Sequence, residues 1–113
     1  MSKVIIGTEL KLQVDIDAPL AEGERINNFE IQIIGGGIKK QVKTFACVNG
    51  ALPDGVINLE GTSFLVVFNT EEIGLGKITC RVVVHLPDGH FLDDLRTEIV
   101  EVDTGIEVIK GRI

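Results

Sequence analysis

The densest group of side chains able to do chemistry lies at 88–94, where Asp88, His90, Asp93 and Asp94 surround Phe91 and Leu92. Clustered carboxylates hold calcium, and an imidazole beside a carboxylate holds zinc. The spacing fits neither an EF-hand loop nor a zinc-finger template. An ion site here, with calcium the ion such oxygens favour, therefore competes with a plainer reading. In that reading the segment is a solvated turn whose Asp side chains cap their own backbone. The turn is the expected outcome.

A second candidate is Gly35-Gly36-Gly37-Ile38-Lys39-Lys40, which superficially suggests a phosphate cradle. A P-loop needs a wider glycine spacing, a Gly-Lys-Ser/Thr end and a helix after it. The residues after Lys40 carry a β pattern instead. The segment reads as a flexible hairpin loop whose Lys39 and Lys40 are free to meet an acidic partner surface.

Nucleophilic catalysis is poorly supplied. The serines are Ser2 and Ser63, and Ser63 sits in a Gly-Thr-Ser turn without a nucleophile-elbow pattern. His85 and His90 lie across a turn, and His85 projects from the face of its strand opposite Cys80. No catalytic constellation results, and a non-enzymatic protein is expected. The two cysteines, Cys47 and Cys80, make no disulfide framework. Cys80 shares parity with Ile78, Val82 and Val84, so buried reduced thiols are expected, with an inter-sheet bridge as the alternative.

The elements that would carry these residues are strands. The 113-residue chain is 44% hydrophobic and 25% charged, rich in Ile, Val and Leu, with no Trp or Tyr. That suits one domain of half-buried pleated surface. Alternation marks 10–16, where Leu10, Leu12, Val14 and Ile16 interleave with polar residues. Phe29, Ile31 and Ile33 repeat the pattern before the glycines. A third strand spans 41–48, with a bulge expected near Phe45. Asn49-Gly50 and Pro53-Asp54-Gly55 are turn signals, and a short strand at 56–59 comes after them. The apolar run 64–68 reads as a strand buried on both faces or at a sandwich centre. A single helical turn is expected at 70–73. The best strand has Ile78, Cys80, Val82, Val84 and Leu86 on one face, closed by Pro87-Asp88-Gly89. A last strand, or bent pair, covers 96–102 and 105–109. Seven or eight short strands with regular turns predict an all-β sandwich over 1–113, a small closed barrel being the runner-up.

Charge and composition exclude several functions. A net charge of −6 repels nucleic-acid phosphate and anionic membranes. Sugar binding and single-strand binding rest on exposed aromatic platforms, and Trp and Tyr are absent. The apolar run near the start, Val4-Ile5-Ile6, is too short for a signal or a span. Cytoplasmic synthesis without a signal peptide is the expectation.

Three features together resemble a known family: the alternating strand at 10–16, the apolar strand at 64–68 with its Gly74-Leu75-Gly76 corner, and the segment 74–102. That segment runs through Leu75-Gly76-Lys77-Ile78-Thr79-Cys80-Arg81-Val82, the Pro-Asp-Gly-His-Phe of 87–91, and Arg-Thr-Glu-Ile-Val-Glu-Val at 96–102. It resembles the Ig-like β-sandwich structural proteins of tailed phages and Bacteroides-type prophages, akin to the N-terminal domain of the baseplate upper protein family. The core Trp and corner Tyr of typical Ig domains are missing. The resemblance implies an Ig-like antiparallel sandwich and a virion component that packs against itself and neighbouring tail or baseplate proteins. It brings no catalytic residues and no cofactor. Candidate partner contacts are Phe91 and Leu92, large apolar residues in a turn, together with Lys39 and Lys40.

Overall fold

The computed structural model describes residues 2–16, 28–38, 40–87 and 95–111. The chain forms β1 (Ser2–Ile5), β2 (Glu9–Asp15), β3 (Asn28–Ile34), β4 (Val42–Cys47), β5 (Val56–Glu60), β6 (Ser63–Asn69), a 3-10 turn (Thr70–Glu72), β7 (Gly76–Pro87) and β8 (Leu95–Ile109). Two open sheets result, one ordered β1-β8-β7-β3-β4 and the other β2-β6-β5. This is a sandwich and not a closed barrel. The order is that of an Ig-like fold. β2-β6-β5 take the places of strands B, E and D, β8-β7-β3 those of G, F and C, and β4 extends the larger sheet beyond β3.

Alternation decides which residues meet. Phe29, Ile31 and Ile33 of β3 face inward and meet Phe64, Val66 and Phe68 of β6, all of them buried. The Phe29 and Phe64 rings sit 4.7 Å apart at 46°, a tilted pair that avoids face-to-face repulsion between rings. β6 is the centre of its sheet, and its outer residues, Leu65 and Val67, are only partly covered.

Local chemistry sets the turns. Asn49 (φ 51°) and Gly50 (φ 80°) both take positive φ, and Val48 and Ala51 exchange hydrogen bonds across them. That is the two-residue type I′ turn that Asn-Gly favours. The glycines at 35–37 do link an antiparallel hairpin, β3 to β4, but they are packed against neighbouring backbone. A Cβ on Gly35 would lie 2.1 Å from the Ile73 carbonyl oxygen, and one on Gly36 2.7 Å from that of Lys77. Glycine is required because the chain entering β7 passes directly beneath.

Other expectations need correction. β3 and β4 pair without a break from Phe29↔Cys47 to Ile34↔Val42, so no bulge lies near Phe45. The irregularities fall between Asn58 and Glu60 and between Lys77 and Thr79. Of the two forms expected for the end of the chain, a single strand is found. It is β8, whose register against β7 shifts near Gly105 (φ 74°). β1, not anticipated, pairs in parallel with β8 from Ser2↔Ile106 to Ile5↔Ile109. Cys47 and Cys80 are buried and unbridged, and both lie in the larger sheet. An inter-sheet bridge between them is therefore ruled out by topology.

Candidate interaction surface

The large sheet is built of rows that run across four strands. One is Phe45–Ile31–Val82–Val100, and the next is Lys43–Ile33–Cys80–Val102. Every second residue along each strand faces the small sheet, so Phe45, Ile31 and Ile33 in these rows are core. The rows do not end as core. Ile31 is 0% exposed, while Val100 is 58% and Val102 56% exposed. The small sheet has three strands against five, and its β2 edge stops short of β8.

The uncovered strip is a cleft of about 530 Å³. Leu12 and Val14 of β2, with Ile16 just beyond it, form one wall. Cys80, Val82 and Val84 of β7 make the floor, and Val100 and Val102 of β8 the far side. Asp15, Glu98 and Asp103 stand on its rim, and no Lys or Arg is among the described lining residues. Asp15 accepts from the Ser63 hydroxyl at 2.6 Å and from Gln13 Nε2 at 3.1 Å. These bonds, that of Ser63 first, hold its carboxyl below the usual carboxylate range. Asp15 is therefore held in its charged form at neutral pH.

Both strands bordering the cleft are edges. Among the described residues β2 pairs only with β6, and β8 over 97–103 pairs only with β7, because β1 meets β8 from Ile106 onward. Thr104 holds that departure, its hydroxyl donating to the Ile78 carbonyl at 2.8 Å. An unpaired edge beside an apolar cleft is the geometry that accepts an added strand.

At the opposite end of the same sheet β4 is also an edge. Its Lys43 ammonium lies 3.4 Å from a Glu72 carboxylate oxygen and 5.7 Å above the Phe45 ring centre. Lys40 is exposed just before it, and Val42 is 50% exposed. Ile38, Val48 and Leu52 are further exposed apolar side chains near this edge.

Asp88, His90, Asp93 and Asp94, as well as Phe91, Leu92 and Lys39, lie outside the described residues. Of the contacts expected from sequence, Lys40 alone is placed. Among the described residues no group of His, Cys, Asp and Glu is arranged to hold a metal ion, and no helix is long and apolar enough to cross a membrane. Sequence reasoning assigned Val14 and Val100 to strands without showing the cleft between them. The signal available was Glu98-Ile99-Val100-Glu101-Val102, which carries apolar residues on both faces. Searches against protein-family models, curated proteins and solved structures found no match to this chain.

Proposed function

We propose that this protein is a non-enzymatic assembly module that works by protein–protein contact at the open side of its sandwich. The observation that carries this reading is the apolar cleft between two strand edges that, among the described residues, have no further strand beside them, β2 and 97–103 of β8. An exposed, extended edge without Pro or Gly invites pairing with another chain. Val100 and Val102 gain from burial only when something covers them. The resemblance to phage sandwich proteins supplies the setting: a virion building block of tail or baseplate, packing against copies of itself and its neighbours.

Light scattering on eluted protein, over a range of concentrations and with either EDTA or calcium, tests the reading. It predicts a mass that rises with concentration and ignores the metal. A monomer at every concentration would contradict self-association. A mass or elution volume that changes with calcium would instead favour an ion-binding module using the acidic segment 88–94.

A further inference from the structure

We infer that the strand covering the β8 edge is β4 of a second copy of this chain, so that copies join head to tail. The inference rests on the assembly reading above and names its partner. Charge and strand direction both single out β4. Between 97 and 103 the outward face of β8 carries Glu101 and Asp103 and no cation. At the β4 edge Lys40 is exposed, while Lys43 faces inward and is paired with Glu72 at 3.4 Å, so Lys40 is the described cation this edge offers. The two edges are opposite ends of one sheet. An acidic edge repels its own image, which disfavours a symmetric β8–β8 pair. It attracts the basic edge of another copy.

Strand direction agrees. β3 is antiparallel to both β4 and β7, and β7 is antiparallel to β8. β4 and β8 therefore run in opposite senses. Two copies placed side by side in the same orientation bring β4 of one against β8 of the next as an antiparallel pair, the more stable kind. Face parity then limits the register, since outward residues must oppose outward residues. Val42 and Thr44 point outward on β4, and Thr97, Ile99 and Glu101 point outward on β8. Placing Val42 opposite Ile99 puts Thr44 opposite Thr97 and Lys40 opposite Glu101. Each is a favourable cross-strand pair. Ile99 and Val42, 54% and 50% exposed in the single chain, cover one another.

The same placement closes the cleft. β5 sits over β4, where a Cβ on Gly55 would come within 3.1 Å of the Phe45 ring. A neighbour docked through β4 thus brings its small sheet up beside β2. Such a heterologous joint repeats, giving a ring if the twist closes and a filament if it does not.

Charge exchange tests this directly. Lys40→Glu and Glu101→Lys, each alone, are expected to weaken association roughly tenfold or more, and an equimolar mixture to restore it. In the mixture a joint between the two variants again pairs opposite charges. Arg81 faces Glu101 within the chain, so a second pair of variants keeps the test independent of that swap. Copies with Val42→Cys mixed with copies with Ile99→Cys should form a disulfide heterodimer on mild oxidation, and Thr44→Cys with Ile99→Cys should not. Association that ignores both charge changes and gives no Val42–Ile99 cross-link overturns the inference while leaving the assembly reading intact. A mixture that fails to regain association, with no cross-link, overturns it as well. A wild-type monomer at every concentration removes both.

Discussion

Ile31 and Val100 occupy one row and one face of the large sheet, with only Val82 between them, yet Ile31 is wholly buried and Val100 more than half exposed. The difference lies in the small sheet above them, which covers β3 and ends before β8. Truncating the two residues should therefore have unequal effects. Ile31→Ala is expected to destabilise the fold by about 2–5 kcal/mol, through lost burial and a residual cavity. Val100→Ala in the dilute single chain should stay within about 0.5 kcal/mol. Urea denaturation of the two variants checks both values.

Thr70 ties the start of the chain to the sandwich. It is fully buried, and its hydroxyl accepts from the Gly7 N–H at 2.9 Å. Thr70→Val keeps the shape and removes the acceptor, leaving the Gly7 amide unpaired. A loss of about 1–3 kcal/mol is expected, read as a lower denaturation midpoint. The Gly7 amide should also exchange faster with solvent.

Asp15 gives a pH signature. Hydrogen bonds from Ser63 and Gln13 lower its carboxyl pKa in the folded chain. A depressed carboxylate contributes stability above its unfolded pKa and loses it as pH falls through the folded value. An NMR titration should place the Asp15 midpoint below that of an ordinary aspartate. Ser63→Ala should move the midpoint upward, toward the ordinary value, because the largest cause is removed.

The thiols act at the other end of the scale. Burial raises the pKa of Cys47 and of Cys80, with the Gly50 backbone pulling Cys47 slightly back. The unfolded chain then releases these protons first as pH rises, so stability falls above about pH 8.5. Wild type should lose more stability between roughly pH 8 and pH 10 than a Cys47→Ala/Cys80→Val variant does. Neither thiol should react with a thiol reagent at neutral pH until the protein is unfolded.

Much of the fold was legible because period-2 alternation is strong in β2, β3 and the first half of β7. Leu12 lies between Lys11 and Gln13, Ile31 between Glu30 and Gln32, and Cys80 between Thr79 and Arg81. Polar neighbours of that kind mark the inward face. A single turn was expected at 70–73, and Asn69 caps the one found by accepting from the Glu71 N–H at 2.9 Å. β1 was not legible, because Lys3-Val4-Ile5 is short and its pairing with β8 joins opposite ends of the chain. The cleft was hidden for a related reason. Alternation tells which face Val100 takes, but only the width of the opposing sheet tells whether that face is covered. Likewise the close contact of Gly35 with Ile73 depends on tertiary approach, and the glycines by themselves suggested slack.

The central claim is that the β8 edge is covered by another chain, and concentration-dependent amide hydrogen exchange tests it most directly. Along 97–103 alternate N–H groups point away from β7. At roughly 10 μM these should exchange quickly, and near 1 mM they should slow by about tenfold or more as β4 of a neighbour accepts them. The amides of β6, central in its sheet, should exchange equally at both concentrations. Unchanged exchange along 97–103 over that range, with β6 steady, would contradict the account.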